Sequence, residues 1–397
     1  MQVLVSLLLV LCLCNCADLY AQSIRLERSF PPVRVDGDPL NLAFAGGLNS
    51  PQFSAADLNN DGRTDLLAFD RVGHVPLAFV REVDGTFSFR PELLEHFPQV
   101  VGWMLLRDYD GDEVPDIFAY QGLPVSSVQV YRGRYNAAGK LEFTPYPFGR
   151  NPNVIHVPVP GSTNDTQLYV SEIDVPDIND IDYDGDLDIL TFNFAGGYLE
   201  YYQNQSVEQG YGADSLIFEL VETCWGGIYE SGLSTALDLS SEAGECASNF
   251  GPGVGGRHSG STVLTLDEDG DGDKDLLLGD ISFPYLTFGR NGGDRNLAWI
   301  NEQDETFPAD DVPANLPLFP APFYVDVDGD QVRDLVVTTN QERNGIDHEN
   351  VWYYQNTNTD SDPRFRLFQQ DLLVGEMLDL GTGCRPAILD YNADGLM

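Results

Sequence analysis

The chain has 397 residues, enough for two average domains or for one large domain assembled from repeats. Its formal net charge of −42 excludes nucleic acid and anionic membrane as partners, because both need basic patches. Aromatic content of 11% and hydrophobic content of 42% exclude a disordered acidic chain, and 39 Gly with 24 Pro favour turns over long helices.

Residues 1–21 hold a short apolar run followed by small and polar residues, as in a secretory signal cleaved near Ala21. No Lys or Arg precedes the run. The stretch from Val3 to Leu13 is too short to span a bilayer comfortably, and Asn15 before Cys16 fits a lipoprotein signal poorly. Export to the cell surface or beyond is therefore expected. It leaves Cys224, Cys246 and Cys384 in the mature chain. In an oxidising compartment Cys224 and Cys246 could close a small loop; the alternative is three free thiols.

From Asp57 the chain reads DLNNDGRTDLLAF, with Asp57, Asn59, Asp61 and Asp65 at positions 1, 3, 5 and 9. DYDGDEVPDIFAY repeats the pattern with Asp108, Asp110, Asp112 and Asp116. DIDYDGDLDILTF does so with Asp180, Asp182, Asp184 and Asp188, and DEDGDGDKDLLLG with Asp267, Asp269, Asp271 and Asp275. DVDGDQVRDLVVT follows with Asp326, Asp328, Asp330 and Asp334. A sixth copy opens with Asp390, Asn392 and Asp394, where the sequence stops in mid-motif, so a fragment lacking the end of a blade is expected. The copies begin 51 to 87 residues apart, the spacing of one supersecondary unit per repeat.

Alternating carboxylates in a tight loop converge on one point, and hard oxygen ligands in that number suit Ca²⁺. The backbone carbonyl at position 7 (Arg63, Val114, Asp186, Asp273, Val332) would complete the shell. Gly62, Gly185 and Gly272 stand at position 6, where a left-handed turn is cheapest; Glu113 and Gln331 depart from this. An EF-hand is excluded, because position 12 holds Ala68, Ala119, Thr191, Leu278 or Val337 in place of a bidentate Glu. The alternative is a set of solvated acidic turns without metal. About one Ca²⁺ per complete loop would move the formal charge from −42 to −32.

Short strands flank each loop: FSAAD or WMLLRD before it, an apolar run after it, then an aromatic strand such as VQVYRG, LEYYQN or VWYYQN. About four antiparallel strands per repeat describe a propeller blade. With that loop and those strands, residues 30–397 resemble the FG-GAP/VCBS repeat family of bacterial secreted proteins and the integrin α-subunit head. The resemblance implies an all-β propeller, often seven-bladed, with Ca²⁺ between the first two strands of a blade. Six loops imply at least six blades here, with SIRLERSFPPVRVDG as a strand closing the ring on the last one.

Two insertions interrupt the repeats, at residues 145–166 and 223–258. Strand parity puts both on the face opposite the loops, where Trp225 and Tyr229 are the candidate anchors for a partner; the alternative is that the insertions only pack over the ring. GPGVGG at 251–256 lacks the following helix of a nucleotide site, and HENVW at 348 gives no zinc motif. His258 beside Ser259 and Ser261 is the one catalytic possibility, against a structural loop histidine. The leading function is a non-enzymatic, monomeric binding or adhesion scaffold for an unknown protein or glycan at the cell surface; the alternative is a propeller-based carbohydrate-active lyase or hydrolase.

Overall fold

The structure is a computed structural model that describes residues 31–248, 260–342, 346, 348–379, 381, 389–390 and 393–395. The expected signal, Cys384, His258, Ser259 and Asn392 lie outside the described residues.

Among the described residues there are five four-stranded antiparallel sheets, each made of consecutive strands. Blade 1 is Pro51–Ala56, Asp65–Asp70, Val75–Arg81 and Phe87–Phe89; blade 2 is Met104–Arg107, Asp116–Gln121, Ser127–Tyr135 and Leu141–Pro145. Blade 3 is Asp177–Asn179, Asp188–Phe192, Leu199–Asn204 and Phe218–Glu222; blade 4 is Ser261–Leu266, Asp275–Asp280, Leu286–Asn291 and Ile300–Phe307. Blade 5 is Pro320–Val325, Asp334–Thr339, Val351–Asn356 and Phe365–Gln369.

The apolar runs after each loop become the second strands, and four of these are buried along their whole length. A strand sandwiched between neighbouring sheets has no wet face, so it loses the alternation of a surface strand. The fourth strands keep it: Phe218–Glu222 and Phe365–Gln369 alternate more and less buried positions on the outer edge.

The first strands line the axis and touch in sequence around it, blade 4 to 5 and blade 5 back to 1. At that last junction Thr338 Oγ1 donates to the Pro51 carbonyl at 2.7 Å, and Ser50 Oγ to the Thr339 carbonyl at 3.1 Å. Five sheets thus make up the ring among the described residues, where six or seven blades were expected of the whole propeller. Of the expected closing strand, residues 23–30 lie outside the described residues. Val33–Val35 pairs with Asp38–Leu40 as a separate hairpin, so among the described residues no N-terminal strand joins blade 5. The Leu42 N–H instead bonds the Glu376 carbonyl at 3.2 Å, beyond the fifth sheet.

Both insertions pack inward. Ile155 and Val157 of the first enter the main core, and so do Leu168 and Val170 just beyond it. In the second, Cys224 and Cys246 are disulfide-bonded, with Cα atoms 5.9 Å apart. Trp225 is 3% exposed among Leu190, Phe192 and Ile300, and Tyr229 is 9% exposed with its ring 5.0 Å from that of Tyr198. Neither is offered to a partner. An aromatic side chain in a long connection gains more by covering the open flank of blades 3 and 4 than by facing water.

Candidate metal centres

Each acidic loop joins the first strand of a blade to its second, and the register is the same five times. The residue before the loop pairs with the position-9 aspartate: Ala56 with Asp65, Arg107 with Asp116, Asn179 with Asp188, Leu266 with Asp275, Val325 with Asp334. All five loops therefore fall on one face of the ring.

Within the loop, two residues take left-handed backbone. At position 4 these are Asn60, Gly111, Tyr183, Gly270 and Gly329, and at position 6 Gly62, Glu113, Gly185, Gly272 and Gln331. The two turns fold the chain around the position-1 carboxylate, which accepts the position-6 N–H from Gly62 (2.7 Å), Glu113 (2.8 Å), Gly272 (3.1 Å) and Gln331 (3.1 Å).

The position-9 aspartate is a structural staple as well as a candidate ligand. One oxygen accepts the N–H of position 2: Leu58, Tyr109, Ile181, Glu268 or Val327, at 2.9–3.1 Å. The other accepts a third-strand N–H: Arg81, Gly133, Asn204, Asn291 or Asn356, each at 2.8 Å. Burial pushes these carboxyls up, Asp65 to about 6, Asp116, Asp275 and Asp334 to about 7, and Asp188 to about 8, against the pull of those hydrogen bonds.

In four loops three carboxylates bring oxygens within 4.8 Å of one another: Asp108, Asp110 and Asp116; Asp180, Asp182 and Asp184; Asp267, Asp269 and Asp271; Asp326, Asp328 and Asp334. Buried oxygens without hydrogen-bond partners point to a cation among them: Asp110 Oδ1, Asp180 Oδ1, Asp184 Oδ2, Asp186 Oδ1 and Asp273 Oδ1. An all-oxygen set of this kind fits a hard divalent cation such as Ca²⁺; position 9 joins positions 1 and 3 in the second and fifth loops, and position 5 joins them in the third and fourth. The first loop is the exception. Asn59 replaces a carboxylate, and Asp61 is already engaged by the Arg63 guanidinium and by Asn59 Nδ2 at 3.0 Å.

A set of donors to position 3 was not anticipated from the sequence. The last third-strand residue before the stapling N–H reaches back to it: Arg132 to Asp110, Gln203 to Asp182, Arg290 to Asp269, and Gln355 to Asp328 at 2.7 Å. Its sequence signal is the recurring YRG, YQN and GRN at the end of the aromatic strand. Blade 1 has Val80 there. In the sixth copy the Asp394 and Gly395 N–H groups bond Asp390 at 3.1 and 2.8 Å, the turn seen in the complete loops.

A cavity of about 500 Å³ runs along the axis, lined by Phe53, Leu105, Asp177 and Tyr324 among others and, at the loops, by Asp108, Asp326 and Gln331. Ser261 is buried with its hydroxyl on the Glu230 carboxylate at 2.8 and 3.0 Å, a structural position and not that of a free nucleophile.

Residues 57–119, spanning the first two acidic loops, match the FG-GAP-like repeat family. The chain carries that repeat on a β-propeller. No curated protein matches it. Among solved structures it is similar to an Agrocybe aegerita lectin that recognises non-reducing terminal N-acetylglucosamine, at 15% identity and TM-score 0.34 over 81% of this chain and 66% of that one. It is also similar to the Photorhabdus luminescens Tc holotoxin pore, at 14% identity and TM-score 0.35, over 85% of this chain and 12% of that one. A third is a proposed oxidoreductase (glucose dehydrogenase) of Thermus thermophilus, at 16% identity and TM-score 0.37, over 82% and 98%. The chain thus spans 66% of the lectin and 12% of the toxin chain, and likeness at these scores carries no statement about ligand or chemistry.

Proposed function

We propose that this chain is an exported, calcium-stabilised propeller that serves as a non-enzymatic binding or adhesion scaffold. The observation that carries the calcium reading is the fivefold recurrence of one carboxylate loop at one register, with buried carboxylate oxygens lacking partners in three of the loops. Ca²⁺ would be held by the loop carboxylates and would supply the charge that lets them stay ionised side by side. The protein's own groups set the cage: the position-9 staple fixes the loop to the third strand, and the two left-handed residues turn the carboxylates inward.

Contact with a protein or glycan falls to the opposite face. Among its exposed apolar residues are Leu123 in blade 2 and Phe194 in blade 3, 78% and 81% exposed on turns between second and third strands. These replace Trp225 and Tyr229 as candidate contacts.

Calcium that binds only the folded state raises stability by mass action. The melting temperature should rise with calcium and fall on chelation. An unchanged melt after verified metal removal overturns the calcium reading.

A further inference from the structure

The third loop differs from the others in carrying a second group of carboxylates. Asp184, Asp186 and Glu208 bring oxygens within 4.8 Å of one another, and Asp184 also belongs to the group with Asp180 and Asp182. Glu208 follows the third strand of blade 3, on the same face of the ring as the loop.

We infer that the third loop binds two divalent cations, the second one on Asp184, Asp186 and Glu208. The inference rests on reading the loops as calcium sites and adds an ion that the repeat pattern does not call for. Asp186 is the independent observation. Its carboxylate is 1% exposed; Oδ2 accepts the Val207 N–H at 3.0 Å, while Oδ1 is buried with no partner. A buried carboxylate oxygen left this way costs free energy unless something positive meets it. Asp184 Oδ2 is orphaned in the same way, and its Oδ1 accepts the Asp186 N–H at 3.1 Å. On Glu208, Oε1 accepts from Gln203 Nε2 at 3.0 Å.

Charge decides between one ion and two. Asp180, Asp182, Asp184, Asp186, Asp188 and Glu208 carry six formal negative charges around one loop. One divalent cation, together with Lys274 over the Tyr183 ring of the same loop, would leave half of that charge unbalanced, and Gln203 offers a neutral amide where blades 2 and 4 offer an arginine. Two cations sharing Asp184 is the arrangement of bridged metal pairs. Oxygen-only ligands select calcium over softer metals.

Blade 4 supplies the comparison within the same molecule. Asp273 also puts a carboxylate at position 7, 4% exposed with Oδ1 buried and without partner. Four residues past the stapling asparagine, where blade 3 has Glu208, blade 4 has Arg295, which donates to the Gly272 carbonyl at 3.4 Å. A guanidinium in place of the third carboxylate leaves that position without a second site.

The test is the number of Ca²⁺ ions bound per full chain at saturation, counted by equilibrium dialysis. Glu208→Gln keeps an acceptor for Gln203 on an exposed side chain, so circular dichroism should be unchanged while the count falls by one. Arg295→Glu should raise the count by one through the equivalent position of blade 4. An unchanged count in Glu208→Gln with weakened affinity means that Glu208 ligates a single shared ion, and this overturns the second site alone. A count of zero for the unaltered chain overturns the calcium reading and this inference together.

Discussion

The aspartate at position 9 answers two demands with one side chain, and the two can be separated by substitution. Asp334 holds the Val327 and Asn356 N–H groups at 2.9 and 2.8 Å, whereas exposed Asp330 accepts the Val332 N–H within its own loop at 2.8 Å. Removing the acceptor of a buried donor costs about 1–3 kcal/mol. In EDTA, Asp334→Ala should lower urea-unfolding stability by about 2–5 kcal/mol for its two stranded N–H groups. Asp330→Ala should change it little in EDTA and only show a loss when calcium is present. Equal losses in EDTA would contradict the staple. The spacing of the aspartates was legible in the sequence because ligands must recur at fixed positions. The staple was not, since the donor is a backbone N–H in every blade and the residue that carries it varies: Arg81, Gly133, then Asn204, Asn291 and Asn356. Glu208 was hidden for a related reason: it reaches the loop through strand pairing and stands outside the motif.

At the scale of the loop, the backbone explains the glycine pattern and its exceptions. Glu113 and Gln331 hold left-handed φ values of 64° and 72° at position 6, where the other complete loops have glycine. A non-glycine residue there costs about 1–2 kcal/mol, partly offset by the extra entropy of an unfolded glycine. Gln331→Gly and Glu113→Gly should each stabilise the protein by roughly 0.5–1 kcal/mol in urea unfolding. The mirror change, Gly329→Ala at φ 84°, should destabilise, because the new Cβ also approaches Arg81 Nε at 3.1 Å. A loss in both glycine variants would show that the loop tolerates strain there for another reason. The strands around the loop were legible from their apolar runs. The role of Trp225 and Tyr229 was not, because composition alone cannot tell an aromatic that covers a blade from one that meets a partner.

For the molecule as a whole, the loops concentrate charge that the fold alone does not neutralise. The stapling carboxyls sit at about 6 to 8 in the folded chain, against an ordinary value near 3.8. The metal-free native state therefore binds more protons than the unfolded one between those limits, so its stability falls as pH rises through them. Exposed carboxyls held low by hydrogen bonds, such as Asp84 and Glu142, act with the opposite sign but below their ordinary range. In EDTA the urea midpoint should drop from about pH 5 to about pH 8, and saturating calcium should remove the slope. A midpoint that rises with pH in EDTA would refute the account. Blade number was the feature least legible in the sequence, because counting loops says nothing about how first strands pack at the axis.

The junction of blades 5 and 1 also governs how the ring could grow. It is held by side chains on carbonyls, Thr338 on Pro51 and Ser50 on Thr339, and by the Arg81 guanidinium on the Asp326 carbonyl at 3.1 Å. Among the described residues no strand is shared across it. A propeller latched by strand exchange must unzip a sheet before it can open, whereas this one behaves as a clasp. An additional repeat, of the kind that Asp390, Asp394 and Gly395 begin, would enter by trading these bonds, the Leu42–Glu376 backbone bond and the packing of Phe53 on Phe323 for equivalent contacts on its own two faces. Gain of a blade would leave every existing sheet and acidic loop intact, so circumference is an adjustable dimension of this architecture.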